Sequence, residues 1–145
     1  MTGSIDRQVE AQLRADGVRF TERRRAVLRA LVRAEGPRSA AELHTDLDRG
    51  IPLSSLYRSL AVLEAAGVVV PHHGTRGLTR YEPAEWLSGH HHHVVCAACG
   101  AVEDVELPPE LEGELQAVVT RAVGGSGFSV RGHSLEIDGR CRRCA

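Results

Sequence analysis

The chain has 145 residues, of which 42% are hydrophobic and only 3% aromatic, and its formal net charge is −1. This length suits one compact domain or two small ones, and the near-neutral total charge gives no indication of nucleic-acid binding. Because the sequence has no apolar run of membrane-spanning length and no leader-like segment, we expect a cytoplasmic protein without a membrane partner.

The charge is distributed unevenly, and all of the positive charge is arginine. Residues 1–83 contain 13 Arg and 10 Asp or Glu, a net charge of +3. Residues 84–145 contain 5 Arg and 9 Asp or Glu, a net charge of −4. Arginine suits phosphate contacts, and carboxylates suit metal coordination. The charge pattern therefore favours a basic first part and an acidic, metal-binding second part.

Amphipathic helices are predicted throughout the first part. Apolar spacing and capping residues place them over Ile5–Ala15, from the N-cap Thr21 to about Ala34, from the capping box Ser39–Glu42 onward, and from a cap at Ser54 or Ser55 to Gly67.

A hairpin is predicted after the helices, from Val68–Val70 and Leu78–Tyr81 with a turn at Gly74 to Gly77. Three helices and a hairpin describe a winged helix-turn-helix, whose last helix would enter the major groove. The alternative is a small helical domain with a solvated arginine face. On the first interpretation, the expected DNA-contacting residues are Arg19, Ser54, Ser55, Tyr57 and Arg58.

The second part reads as a small α/β unit. We predict a DNA-binding domain over residues 1–83, a hinge over 84–89 and a dimerisation domain over 90–145. Strands are expected at His92–Cys96, Ala101–Leu107 and Phe128–Asp138, with a helix from Pro109 to about Ala122. Such a unit can bury little apolar surface alone, so we expect a homodimer.

Four cysteines form two Cys-x-x-Cys pairs, Cys96 with Cys99 and Cys141 with Cys144. Two such pairs predict a structural Zn²⁺ bound by four thiolates. A redox dithiol is the alternative, but a thioredoxin-type pair should open a helix, and the first pair follows a predicted strand. Four thiolates leave no open coordination position, so we expect no hydrolytic activity here.

Four consecutive histidines precede the first cysteine pair. In an extended strand, successive side chains point to opposite faces, so His90 and His92 would face one way and His91 and His93 the other. One strand could therefore supply two metal sites. The alternative is a solvated polyhistidine loop.

Taken together, these segments resemble the ferric uptake regulator family, including its zinc-sensing members. Leu53–Leu60 is similar to the family's recognition helix, and Arg19–Arg24 to its R-x-T-x-x-R start. Ser88–Gly100 resembles its histidine-rich strand and zinc knuckle, and His133–Cys144 its closing strand. The resemblance covers nearly the whole chain in order.

The resemblance implies a homodimeric repressor that binds a palindromic operator when a metal ion fills a site at the hinge. It also implies three metal sites. The structural zinc site consists of Cys96, Cys99, Cys141 and Cys144, and the regulatory hinge site consists of Glu82, His91, His93 and Asp104. A further site in the dimerisation domain consists of His90, His92, Glu112 and His133.

The hinge site departs from the family's patterns. Iron- and peroxide-sensing members place a histidine where this chain has Arg38, and actinobacterial zinc sensors place an aspartate and a cysteine at the positions of Val70 and Ala84. Residues that could complete the site are His72, His73 and Glu85.

We therefore expect a metal-dependent repressor with structural Zn²⁺, no small-molecule substrate and no enzymatic activity. Zinc is favoured as the sensed metal, and an Fe²⁺-responsive or peroxide-sensing repressor is the alternative. A zinc hydrolase is a remote alternative, because the sequence lacks His-Glu-x-x-His and the winged helix would remain unexplained.

Overall fold

A computed structural model describes residues 2–74 and 77–145 and divides into two compact units, Met1–Gly89 and His90–Ala145. The α+β fold class is confirmed. Thr75 and Arg76, which belong to the predicted hairpin turn, lie outside the described residues. Within the described ranges, no helix combines the length and the apolar character needed to cross a bilayer.

The N-terminal unit is a winged helix-turn-helix. Its elements are α1 (Thr2–Ala15), α2 (Glu22–Arg33), β1 (Arg38–Ser39), α3 (Ala40–Asp46), α4 (Leu53–Ala65), β2 (Val69–His73), β3 (Thr79–Pro83) and α5 (Glu85–Ser88). The three strands form an antiparallel sheet in the order β1-β3-β2. We call β2 and β3 the wing.

Leucines from successive helices make up most of the core of this unit. They include Leu13, Leu28, Leu43, Leu56, Leu60 and Leu63, all at most 1% exposed. Within α4, Leu56, Leu60 and Leu63 are three or four residues apart, which places one side of this helix against the core. Aliphatic packing therefore provides the core in a chain with few aromatic residues.

Two predicted helix starts are confirmed, and one is wrong. The Thr21 hydroxyl accepts the Arg24 N–H, and the Ser39–Glu42 capping box is complete, with both hydrogen bonds present. However, α4 begins at Leu53 after Pro52 and has no side-chain cap. The fixed φ of proline suits this place, and Ser55 instead lies on the buried face of the helix.

Residues 84–88 of the predicted hinge pack on the N-terminal unit. The Ala84 N–H donates to the Val68 carbonyl at 2.8 Å, and the Trp86 indole donates to the Gly67 carbonyl at 2.8 Å. Leu87 packs against the helical core. The short helix α5 is thus attached to the end of α4, and Gly89 follows it with φ +83°, a value that favours glycine.

The C-terminal unit contains β4 (His92–Cys96), β5 (Val102–Val105), α6 (Pro109–Val123) and β6 (Glu136–Gly139). Its sheet has the order β5-β4-β6, with β4 antiparallel to β5 and parallel to β6. The predicted strand Phe128–Asp138 is wrong for most of its length. Of this segment, only residues 136–139 form a strand, β6, which pairs with β4, and Phe128 is 81% exposed.

The C-terminal unit has little apolar core of its own. Helix α6 has no buried residue, and its Leu111 and Val118 are 48% and 58% exposed. This unit therefore depends on other interactions for its stability.

An ion-pair cluster joins α1 to α2 in the N-terminal unit. The buried carboxylate of Asp6 lies 2.9 Å from Arg25 Nη1 and 2.7 Å from Arg29 Nη2. Burial raises the pKa of Asp6, but the hydrogen bonds from Arg29 and Arg25 outweigh burial and hold this pKa below its ordinary value.

We predict that Asp6→Asn lowers the free energy of unfolding of the N-terminal unit by about 1–3 kcal/mol, because two arginines lose their carboxylate. Denaturant unfolding, followed by the fluorescence of Trp86, the single tryptophan, measures this difference. Since the pKa of Asp6 is lowered on folding, its contribution is present above the unfolded pKa of about 3.9 and is lost as the pH falls through the lower folded value.

The matched control is Glu10→Gln on the same helix. Glu10 lies 3.6 Å from Arg14, and the two side chains are 46% and 80% exposed. Such a pair contributes under about 0.5 kcal/mol. Equal losses in the two variants would contradict the role given to Asp6.

Candidate metal centres and nucleic-acid interface

Strand pairing brings the two cysteine pairs together. Cys96 ends β4 opposite Gly139 of β6, so Cys99 in the following turn meets Cys141 and Cys144 beyond β6. The four Sγ atoms all lie within 4.8 Å of one another, and those of Cys99 and Cys141 are 3.7 Å apart. Four converging sulfurs fit tetrahedral Zn²⁺.

Backbone donors prepare this cluster for negative charge. The N–H groups of Cys141 and Cys99 donate to the Cys96 sulfur and lower its pKa to about 6. Burial raises the pKa of Cys141, but the Arg143 N–H and the Cys144 thiol outweigh it and lower this pKa overall. Hydrogen bonds to Cys141 and Cys99 raise the pKa of Cys144 to about 12. The protein thus stabilises thiolate within the cluster, and thiolate is the form that binds zinc.

A second cluster lies between β4 and α6. Glu112 Oε1 is 2.9 Å from His90 Nε2 and 2.6 Å from His133 Nε2, and Glu112 Oε2 is 2.8 Å from His92 Nε2. The structure therefore brings all four predicted residues together. The hydrogen bond from His92 lowers the pKa of Glu112 despite the opposing effect of burial. Three imidazoles and one carboxylate form a donor set that fits Zn²⁺.

Two groups around this cluster hold its histidines. The Leu135 N–H donates to His92 Nδ1 at 3.2 Å, and Gln116 Oε1 lies 3.2 Å from His133 Nδ1. Such outer contacts orient metal ligands. The sequence analysis missed Gln116, although its position one helical turn after Glu112 is a signal that points to it.

The opposite face of β4 carries His91 and His93. Asp104 on β5 pairs with His93 across the sheet, and its Oδ1 lies 3.5 Å from His93 Nε2 and 3.7 Å from His91 Nε2. Two imidazoles and a carboxylate suit Zn²⁺ or Fe²⁺. The predicted alternation therefore holds for the pairing of His91 with His93, although β4 itself begins only at His92.

Glu82, the fourth residue predicted for the regulatory site, lies on β3 of the N-terminal unit. Its Oε1 is 2.6 Å from the Nε2 atom of His72 on the neighbouring strand. His73 lies 3.3 Å from the Thr79 hydroxyl, and Glu85 is the exposed first residue of α5.

Arg38, Val70 and Ala84, where the resemblance implies metal ligands that this chain lacks, make other contacts. Arg38 donates to both oxygens of Asp46, at 2.9 and 2.8 Å, and this interaction raises its pKa above the ordinary arginine value. A guanidinium has no lone pair available for a metal. Val70 pairs with Glu82 across the wing, and Ala84 is buried.

Helix α4 presents a polar surface to solvent. Ser54, Tyr57 and Arg58 are exposed, and Tyr57 is 52% exposed. Arg19 is exposed in the segment before α2. Ser55, in contrast, is 8% exposed and lies on the helix face that packs into the core.

Comparison with known proteins gives a consistent result. A family model described as the ferric uptake regulator family matches residues 15–138. The ferric uptake regulation protein of Bacillus subtilis is 31% identical, with 99% of this chain and 96% of that protein aligned. The peroxide-responsive repressor PerR of Staphylococcus epidermidis is 29% identical, with 97% and 93% aligned.

The fold also matches a solved structure. The Helicobacter pylori ferric uptake regulator Fur superposes with a TM-score of 0.77 over 99% of this chain and 93% of that one, at 24% identity. At 24% identity this structural match supports only the fold. The family assignment rests on the family model and on the Bacillus relative. The chain belongs to the ferric uptake regulator family of metal-dependent transcription regulators.

Proposed function

We propose that this protein is a zinc-responsive transcriptional repressor that acts in the cytoplasm as a homodimer on a palindromic operator. The observation that carries the proposal is that β4 has His92 on one face and His93 on the other, each within a cluster that could hold a metal ion, and ends in a cysteine of a four-sulfur cluster. A single strand thereby takes part in three candidate metal sites.

Cys96, Cys99, Cys141 and Cys144 would hold the structural Zn²⁺. Their converging sulfurs and the lowered pKa of Cys96 support this assignment. The ion would join the end of β4 to the segment after β6 and offset the scarcity of buried apolar residues in this unit. Because its coordination would be complete, we propose no catalytic role and no small-molecule substrate for the protein.

His91, His93 and Asp104 would hold the regulatory metal together with Glu82. The contacts of the first three support their share, and the inclusion of Glu82 rests on the family resemblance. A metal ion bound at this site would favour the form of the dimer that fits its operator. By linkage, operator DNA would then tighten metal binding by the same factor.

His90, His92, Glu112 and His133 would form the further site in the dimerisation domain. Their contacts of 2.6–2.9 Å support it. The apolar residues that α6 leaves exposed support a dimer, since a second copy can cover them.

Contacts to DNA would come from α4 and the segment before α2. Exposure supports Arg19, Ser54, Tyr57 and Arg58 in this role. Ser55 was also predicted to contact DNA, but its side chain is buried against the core. We therefore propose that it positions α4 within the interface rather than contacting DNA itself.

Zinc is proposed as the sensed metal because the histidine run and the cysteine pairs resemble those of the zinc-sensing members. An iron-responsive or peroxide-sensing repressor is the second candidate. It is favoured by the similarity to the Bacillus ferric uptake regulation protein and to PerR.

We predict that Cys141→Ser lowers the zinc content by one ion per chain, because a four-thiolate site that loses a sulfur loses most of its affinity. Zinc per chain is measured after dialysis against a chelator. Ala97→Ser, an exposed change within the first cysteine pair, should keep the wild-type content. An unchanged content in Cys141→Ser would contradict the structural site.

We predict that DNA binding switches on with buffered Zn²⁺ and that His91→Ala and His93→Ala abolish this switch without unfolding the dimer. Fluorescence anisotropy measures binding of a palindromic fragment selected from random DNA by the zinc-loaded protein, and Fe²⁺ is titrated anaerobically in parallel. His44→Ala is the control, because His44 belongs to none of the metal-ligand clusters among the described residues.

The outcomes of this titration separate the two candidates. A switch that responds to Fe²⁺ but not to Zn²⁺ would replace the zinc proposal with the iron-responsive one. Metal-dependent binding that survives in both histidine variants would contradict the regulatory assignment.

We predict that Arg58→Ala weakens operator binding by about 1–3 kcal/mol and relaxes the preference for one operator base pair, as expected for a bidentate contact to guanine. Affinities for the operator and for singly substituted operators are compared at one salt concentration. Arg121→Ala removes the same charge from α6 and should have a smaller, sequence-independent effect. Equal weakening on all sequences by Arg58→Ala would indicate a phosphate contact instead.

A further inference from the structure

Two consecutive residues other than glycine adopt left-handed backbone conformations between α3 and α4. Asp48 has φ +52° and Arg49 has φ +55°, and no other non-glycine residue in the described part of the chain has a positive φ. Both lie in the α3–α4 turn, by which we mean residues 47–52, directly before the helix proposed to read DNA. This conformation brings the Cβ atom of an L-residue too close to a carbonyl oxygen, so glycine is preferred there.

Backbone hydrogen bonds close this turn without help from the arginine side chain. The Asp48 N–H donates to the Thr45 carbonyl at 2.9 Å, and the Arg49 N–H donates to the His44 carbonyl at 2.8 Å. Any residue except proline can make these bonds, and glycine would make them without strain. The conformation of the turn therefore does not require an arginine.

The middle of the turn is exposed, while its two ends are anchored. Leu47 and Ile51 are partly buried and pack against the helical core, whereas residues 48–50 are exposed. Asp48 suits its position, because the short polar side chain of aspartate tolerates the left-handed region. Arg49 has no such side chain, so its presence at a strained position indicates a role outside the turn.

The guanidinium of Arg49 is available to a partner. Many arginines of the N-terminal unit are bound by its carboxylates, namely Arg25, Arg29, Arg38 and Arg80. Within the described ranges, the Arg49 side chain makes no ion pair or hydrogen bond, and the same is true of Arg19 and Arg58. Arg49 thus resembles the two exposed arginines that are proposed to contact DNA.

The carboxylates near Arg49 in sequence do not neutralise it. Asp46 is held by Arg38 through two hydrogen bonds of 2.9 and 2.8 Å. Asp48 is adjacent, but among the described residues no ion pair joins it to Arg49. The positive charge of Arg49 can therefore act on a partner outside the protein.

Arg49 also lies close to the start of α4 along the chain. It precedes Ser54, the first residue of α4 proposed to contact DNA, by five residues. Five residues span at most about 18 Å even when fully extended, and a turn spans less. The major groove is about 12 Å wide and is flanked by phosphates. With Ser54 in the groove, Arg49 is thus within reach of the DNA backbone.

We propose that Arg49 binds a phosphate of the operator backbone, and that this contact is why the left-handed turn contains an arginine. The inference rests on the proposed function, since it names a further residue of the DNA interface. A guanidinium suits a phosphate, because it donates two parallel hydrogen bonds and is always charged. Such a contact fixes the position of α4 on the duplex but does not read the base sequence.

The test measures DNA affinity by fluorescence anisotropy at several salt concentrations, with the full-length dimer loaded with the metal ion that switches on its binding. We expect Arg49→Gly to weaken binding by on the order of tenfold, equally on the selected palindrome and on random DNA. The slope of log K against log salt should become shallower by about two, because each protomer loses one phosphate contact. Arg49→Lys retains the charge and should retain the slope.

Two further variants separate the lost contact from effects on folding and on total charge. Glycine accepts φ +55° without strain, so Arg49→Gly should not lower the urea midpoint. Arg49→Asn is also uncharged and tolerates this conformation, and it carries the test if the glycine variant fails to fold. Arg33→Ala removes an exposed charge at the end of α2, about 16 Å along the helix axis from its start, and should leave the slope unchanged.

The reference variant Arg58→Ala distinguishes the two levels of failure. An unchanged slope in Arg49→Gly and Arg49→Asn, with weakened operator binding in Arg58→Ala, overturns the contact of Arg49 and leaves the DNA interface of α4 intact. Wild-type binding in all three variants overturns that interface itself. A lowered urea midpoint with an unchanged slope would also overturn the proposal, because Arg49 would then only support the turn.

Discussion

The arrangement of the C-terminal unit depends on the two-residue repeat of side chains along β4. Because neighbouring residues in a strand face opposite sides, His92 meets α6 while His93 meets β5. A shift of register by one residue would exchange these faces and separate both histidines from their carboxylates. Pairing of β4 with β5 and β6 prevents that shift and also places Cys96 beside the segment that contains Cys141. Strand register thus decides which side chains meet in all three clusters.

This arrangement explains why the unit can be poor in buried apolar residues. Helix α6 contributes Glu112 and Gln116 to polar contacts, while its Leu111 and Val118 remain exposed. Short contacts between histidines and carboxylates lie on the two faces of β4, and the cysteine cluster lies at its end. Metal ions bound there would supply stabilisation that the small core does not, as in other small metal-binding domains. The N-terminal unit differs, since its leucine core is complete without such contacts.

Local rules predicted much of this structure. The leucine spacing predicts the helices, the Ser39–Glu42 capping box marks the start of α3, and the alternation of the histidines predicts which pair shares a face. What local rules missed depends on partners distant in sequence. Strand β1 exists because it pairs with β3 some forty residues later, and most of the segment from Phe128 stays irregular because only its residues 136–139 pair with β4. Glu42 likewise caps its own helix, as predicted, and also binds Arg80, which no local pattern indicates.

The wing is directly continuous with the helix proposed to read DNA. Helix α4 ends near Gly67, and β2 begins two residues later. The carbonyl of Gly67 accepts the Trp86 indole, so the end of α4, the start of β2 and α5 are held together.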